Sequence, residues 1–256
     1  MLPTISSKES YMQPEDQQSI SSLVIYLIKV SKYDDDGYVI RHWRGVLPSN
    51  SLACLYGLTE DVRRRAGLGA DLKWKIEVLD ESVHYIDLKK IIRSSRKPHT
   101  KTIVCLVGVQ TNQFPRANDL AMEFRKAGLT VLIGGFHVSG SIAMLHTTPP
   151  EIQAVIDAGC TVVLGEVEEQ WEGILKDAVE GKLQPVYNFL ADLPDLQYQP
   201  IPKIHKKYLS KFITPNFGTI DCGRGCPFNC SFCTIINVQG RKMRMRDPEA
   251  LAQELR

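Results

Sequence analysis

Four of the seven cysteines crowd into twelve residues: Cys222, Cys226, Cys230 and Cys233. The other three, Cys54, Cys105 and Cys160, stand singly in apolar stretches. Scattered singles beside one tight group describe a metal site in a reducing compartment better than a disulfide framework. Within the group, Cys226, Cys230 and Cys233 are spaced C-x3-C-x2-C. Three thiolates on so short a loop can converge on one metal centre. A four-iron cluster takes one ligand per iron, so three cysteines leave one iron open to a small-molecule chelate. A structural zinc site asks for four closed ligands, usually as two separated pairs. Cys222 could supply a fourth. However, no second pair of cysteines or histidines follows, and the nearest histidine, His205, precedes the group in a basic stretch. The spacing favours an iron–sulfur site, with a zinc knuckle as the alternative.

The elements that must position this loop lie upstream. Residues 23–30 (LVIYLIKV) and 102–108 (TIVCLVG) are short continuous apolar runs, the pattern of strands covered on both faces. Residues 130–133 and 161–164 are read as two more strands. Residues 73–79 alternate instead, with Trp74, Ile76 and Val78 on one face and Lys73, Lys75 and Glu77 on the other. That places this strand towards a sheet edge. Helical spacing links Leu52, Leu55, Tyr56 and Val62, then Ala117, Leu120, Ala121 and Phe124. It recurs in Ile152, Val155 and Ile156, and in Trp171, Ile174, Leu175 and Ala178. Gly128 and Gly159 stand where two of these helices stop, and Ser49 or Asn50 is placed to cap the first. Strands alternating with helices of this length predict βαβ units in a doubly wound parallel α/β sheet, Rossmann- or flavodoxin-like.

Residues 1–19 read as a flexible tail, 20–183 as the α/β domain, and 184–211, with Pro185, Pro194, Pro200 and Pro202, as a linker. Residues 212–256 begin a second unit. With 43% hydrophobic and 23% charged residues, the 256-residue chain is no disordered or low-complexity scaffold. Its 31 Lys and Arg against 29 Asp and Glu lack the basic excess of a nucleic-acid partner. No apolar run approaches the ~20 residues of a membrane span, and the polar N-terminus lacks the pattern of a secretory signal. A cytoplasmic location is expected. Lys89, Lys90, Arg93, Arg96 and Lys97 read as a solvated helix end. Arg241, Lys242, Arg244 and Arg246 are either an anion-binding group or an exposed run. There is no Walker phosphate loop, no Ser-His-Asp arrangement and no GxGxxG fingerprint.

The segment from Gly223-Arg224-Gly225-Cys226-Pro227 to Phe232-Cys233 resembles the radical S-adenosylmethionine (SAM) superfamily. The resemblance implies that Cys226, Cys230 and Cys233 ligate a [4Fe-4S] cluster whose open iron is chelated by SAM. Phe232 would lie along the adenine, and Cys222 would pack at the end of a strand over residues 217–220. Electron transfer to SAM would give methionine and a 5′-deoxyadenosyl radical, with the protein orienting the cofactors and excluding water.

A doubly wound domain in front of such a loop resembles the cobalamin-binding domain of B12-dependent radical SAM proteins. The residues that carry this are Gly134-Gly135-Phe136-His137-Val138-Ser139 and Gly165-Glu166-Val167-Glu168, each after a strand. The resemblance makes Gly134, Gly135, His137, Ser139, Gly165 and Glu166 cobalamin contacts at the carboxyl ends of the strands, where open α/β sheets bind ligands. The Asp-x-His-x-x-Gly motif that sets a histidine under cobalt is absent; Lys32 to Gly37 reads KYDDDG. The family implies radical methylation or a related rearrangement of an unactivated carbon, a small-molecule substrate, and an electron donor such as flavodoxin or ferredoxin. A non-enzymatic cobalamin- or metal-binding module and a methylthiotransferase-like enzyme are the competing readings. Only the first strand, loop and helix of a SAM-binding barrel fit into residues 212–256, so the chain reads as a truncated fragment expected to hold SAM poorly.

Overall fold

The computed structural model describes residues 20–213 and 221–254. The expected tail over residues 1–19 and the strand over 217–220 lie outside them. The order is β1 (Ser22–Lys29), α1 (Asn50–Arg64), β2 (Lys73–Asp80), α2 (Leu88–Ser95), β3 (Thr100–Leu106), α3 (Phe114–Lys126), β4 (Thr130–Gly134) and α4 (Phe136–Leu145). There follow α5 (Pro150–Asp157), β5 (Thr161–Gly165), α6 (Trp171–Glu180), β6 (Val186–Phe189), α7 (Lys206–Leu209), β7 (Gly223–Arg224), α8 (Ile235–Val238), β8 (Arg244–Met245) and α9 (Pro248–Glu254).

Six strands form one sheet in the order β2-β1-β3-β4-β5-β6, and every pairing is parallel. The order reverses at β1, whose neighbours are β2 on one side and β3 on the other. Successive side chains of a strand point to opposite faces, so the apolar runs feed two cores. Val24, Tyr26, Ile28, Val104 and Leu106 pack with α3 and α5 on one face. Leu23, Ile25, Leu27, Ile103 and Cys105 pack with α1 and α6 on the other. Helices on both faces explain why β1 is buried along almost its whole length. The alternating strand β2 lies at an edge, as its pattern predicts.

Local signals set the helix ends. Ser49 caps α1, its side chain accepting from the Leu52 amide at 3.4 Å. Asp247 accepts from the Glu249 and Ala250 amides at the start of α9. The basic residues of α2 and its end are exposed. Across the second core, Trp171 Nε1 donates to Thr59 Oγ1 at 3.0 Å, tying α6 to α1. Trp171→Phe is expected to cost about 1–2 kcal/mol, the range for losing one buried hydrogen bond. A lowered urea midpoint with an unchanged slope would register it.

Two elements differ from the sequence expectation. Residues 134–139, whose motif after a strand matches a turn, instead lead into helix α4 at Phe136. Val186–Phe189, inside the stretch read as a linker, adds the sixth strand to the sheet edge.

Candidate functional site

The strand ends and the cysteine segment meet. A cavity of about 280 Å³ opens at the carboxyl ends of β3, β4 and β5. Leu58, Leu132, Val163 and Trp171 line it with apolar side chains, and Cys54, Glu166, Glu168 and Arg224 add polar and charged ones. Val238 and Gln239 close it from the cysteine-bearing segment, and α8 packs on α4, where the Cβ of a residue at Gly140 would meet Thr234. Gly134, Gly135, Ser139, Gly165 and Glu166 all line this cavity. His137 does not. Its ring lies against Phe114, centroids 4.1 Å apart, and 3.9 Å from Glu151. Burial pushes its pKa down against the opposing pull of Glu151, and neither ring nitrogen has a hydrogen-bond partner among the described residues.

The glycines are fixed by their neighbours. Gly135 has φ +145° and ψ −175°, and a Cβ there would run into the backbone of Gly108 and Val109. Gly165 has φ +84°, with the Phe189 carbonyl 2.7 Å from where its Cβ would stand. Its amide donates to Ser139 Oγ at 3.1 Å, joining α4 to the end of β5. These absent side chains make room for neighbouring backbone rather than for a ligand.

Charged residues join the cysteine segment to the sheet edge. Arg224 donates through Nη1 to Glu166 at 2.9 Å and Glu168 at 2.6 Å, and through Nε to Asp221 at 2.8 Å. Arg244 donates to both oxygens of Glu166 and to the Pro194 and Gln239 carbonyls. Arg246, with its side chain 1% exposed, donates to Asp221 and to the Pro200 carbonyl. Burial pushes the Asp221 carboxyl up, but Arg224 and Arg246 outweigh it and hold the pKa below the usual range. Arg224 is shifted the opposite way: burial lowers it, and Glu168, Cys54, Asp221 and Glu166 together raise it further. Of the basic run in the sequence, Arg244 and Arg246 are thus buried ion-pair partners, while Arg241 and Lys242 are exposed. Arg224, Glu168 and Asp221 gained no role from sequence, since nothing in a single chain marks a pairing across 58 residues.

The three cysteines of the C-x3-C-x2-C run lie between β7 and α8 on one loop. Gly225 turns it at φ +90°, the Cys226 amide donates to the Gly240 carbonyl, and the Cys233 amide donates to the Cys230 carbonyl. All three are free thiols; Cys230 is exposed and Cys226 and Cys233 are half-buried. The structure does not draw them into a finished nest: no group of three His, Cys, Asp or Glu placed to hold a metal ion occurs among the described residues. Phe232, the aromatic residue before Cys233, is 85% exposed. Cys222 is exposed rather than packed, a correction to the expectation; only its carbonyl is engaged, accepting from the Arg246 amide.

Cys54 differs in kind. Its thiol contacts Asp221 and Arg224 at 3.4 Å. Burial, then the Asp221 and Glu168 carboxylates, outweigh Arg224 and raise its pKa to about 12. A thiol with a pKa of about 12 is thiolate in only about one molecule in ten thousand at pH 8, and the thiolate is the nucleophile. Iodoacetamide at pH 8 is therefore expected to modify exposed Cys222 and Cys230 well before Cys54, read by peptide mass spectrometry.

The donor set fits an iron–sulfur cluster. Three free cysteines, whose sulfur is a soft donor, share one loop. The crevice fits a corrin poorly. Ligand pockets for drug-sized molecules span roughly 300–1,000 Å³, a corrin is larger, and this cavity holds about 280 Å³ under a roof bound by buried ion pairs.

Together these features define a parallel α/β domain with a cysteine-loop segment seated on its carboxyl edge. No protein-family model matches the chain. Over 158 residues it is 35% identical to bacteriochlorophyllide d C-8(2)-methyltransferase of Chlorobaculum tepidum, covering 59% of this chain and 32% of that protein. It is 29% identical over 144 residues to the hopanoid C-2 methylase of Rhodopseudomonas palustris, covering 56% and 25%. A putative methylthiotransferase of Methanocaldococcus jannaschii is 31% identical over 100 residues, covering 37% and 22%. Over more than half of its length the chain is thus similar to proteins named as a methyltransferase and a methylase. It spans about a third or less of the length of these curated relatives. No helix among the described residues is long and apolar enough to cross a membrane.

Proposed function

We propose that the protein acts in radical methylation of an unactivated carbon of a small molecule, with a [4Fe-4S] cluster on Cys226, Cys230 and Cys233 and SAM at the open iron. The carrying observation is the free C-x3-C-x2-C loop seated on the carboxyl edge of the sheet, in a chain similar to proteins named as methyltransferases. When bound, cluster and SAM supply one-electron cleavage and hydrogen abstraction. The chain's own residues do the rest. Gly225 turns the loop so that Cys226 leaves it next to Gly240. Phe232 offers an open aromatic face beside the third thiol, suited to stacking on adenine. Asp221 and the three arginines carry the loop at the sheet edge without contacting the thiols of the cluster run. A flavodoxin- or ferredoxin-type donor would deliver the electron.

No step of this proposal runs through cobalamin. Equilibrium dialysis with hydroxocobalamin tests that part by itself: saturable binding would mean that the arginine roof opens to admit a corrin.

Methylthio transfer finds less support. By the family resemblance such enzymes carry a second cluster on cysteines of the front domain. Here Cys105 and Cys160 are buried in opposite cores, with pKa values raised by burial to about 12 and about 11. The test of the main reading is anaerobic reconstitution with iron and sulfide, followed by assay for methionine and 5′-deoxyadenosine from SAM under reduction. Formation of both, at the low level a chain that holds SAM poorly allows, is the expected result of the radical reading. A colourless, zinc-loaded protein that neither binds nor cleaves SAM would favour a non-enzymatic metal-binding module.

A further inference from the structure

Six charges meet where the cysteine segment touches the sheet: Arg224, Arg244 and Arg246 against Glu166, Glu168 and Asp221. Their side chains are between 1% and 12% exposed. Burying so many charges is a poor way to gain stability, because desolvation offsets much of the Coulomb attraction, and apolar residues of similar volume often do as well or better. What ion pairs supply that apolar packing does not is direction. Guanidinium and carboxylate meet in fixed, two-pronged geometry, and a wrong register leaves a charge unpaired. The placement uses this property. Glu166 and Glu168 stand on the turn after β5, Arg224 stands two residues before Cys226, and Asp221 five before it. Arg244 and Arg246 anchor the return strand of the same loop, paired with β7.

Building on the reading of Cys226, Cys230 and Cys233 as cluster ligands, we propose that these six residues form a positioning joint, through which the α/β domain sets how firmly the loop holds its metal. The joint touches neither metal nor substrate. It acts through the loop, as outer-shell partners of metal ligands do, whose loss costs about 10–100-fold in metal affinity or activity. Two backbone bonds report on it directly: the Cys226 amide to the Gly240 carbonyl at 3.1 Å, and the Arg246 amide to the Cys222 carbonyl at 2.9 Å.

The test compares the full chain with Arg244→Gln and Glu166→Gln, and with Arg244→Lys, which keeps the charge. A control, Arg116→Gln, breaks a pair between α3 and Glu81, the residue after β2, with side chains 18% and 1% exposed and no residue shared with the joint. Each protein is reconstituted anaerobically with iron and sulfide, and iron release to a chelator is timed. Hydrogen exchange over residues 222–246 is measured on the metal-free chains. In Arg244→Gln and Glu166→Gln, iron release should quicken about tenfold or more. The amides of Cys226 and Arg246 should exchange faster too, with Arg244→Lys intermediate and the control unchanged. Release and exchange equal to wild type in both glutamine variants would overturn the joint, as would an equal acceleration in the control, which would mean general loosening. Failure of the wild-type chain to load iron overturns the cluster reading instead. The exchange arm still decides the joint in that case, and unchanged exchange at Cys226 and Arg246 sinks it. If a glutamine variant fails to fold, the lysine variant carries the comparison.

Discussion

Cys230→Ala is expected to take bound iron from about four atoms per chain to fewer than about one after anaerobic reconstitution. The effect is large because the loop has no spare ligand. Cys230 is the middle thiol of three, and losing it leaves two ligands for a cluster that already has one iron without protein sulfur. Cys222 lies outside the three-cysteine run, and the other cysteines are buried or held elsewhere. Cys54 donates towards Asp221 from inside the cavity and is held protonated. Cys105 and Cys160 are buried in the two cores. Cys222→Ala and Cys54→Ala should therefore load iron like the wild type. Retained iron in Cys230→Ala, or its loss in Cys222→Ala, would put the metal on a different ligand set, with the four-cysteine zinc knuckle first in line. A colorimetric iron assay on each protein separates these outcomes.

Gly135→Ala carries the second large effect, and on stability rather than on metal. The residue sits at φ +145° and ψ −175°, a region essentially confined to glycine that costs other residues about 1–3 kcal/mol. The added methyl would also overlap the Gly108 and Val109 backbone, and forced overpacking costs about 1–3 kcal/mol more. A joint penalty of about 2–6 kcal/mol consumes much of the 5–15 kcal/mol that holds a typical domain together. Urea unfolding should show a sharply lowered midpoint, or no cooperative transition. Gly173→Ala gives the contrast: it lies inside α6 with nothing within 4 Å of an added Cβ, and should stabilise by up to about 1 kcal/mol. Were Gly135 present only to let a cofactor approach, its alanine variant would unfold like the wild type.

The central strands were legible because a strand covered on both faces must be apolar along its length, and 23–30 and 102–108 are. Edge strand β2 announced itself by alternation. Helix α4 did not: GGFHVSGSIAML is apolar nearly all round and offers no 3.6-residue stripe to read. Strand β6 is four residues long, pairs on one side only and follows Pro185, so its prolines spoke for a linker. In the site, the C-x3-C-x2-C run carried its chemistry in its spacing, and the turns at Gly134 and Gly165 lie together on one cavity as their positions after strands suggested. His137 departs from its expected place because a helix begins at Phe136, and within it the ring lies against Phe114 rather than on the cavity. The arginine–carboxylate joint was invisible for a deeper reason. Arg244 and Glu166 are 78 residues apart, and an arginine in a basic run looks the same whether it meets solvent or a buried acid.

The loop of Cys226, Cys230 and Cys233 is expected to hold a four-iron cluster. The most direct measurement is the metal content and reduced-state electron paramagnetic resonance spectrum of the full chain, reconstituted anaerobically with iron, sulfide and zinc in competition. The expected result is about four iron atoms per chain with the signal of a reduced [4Fe-4S] centre. One zinc per chain with no such signal would contradict it.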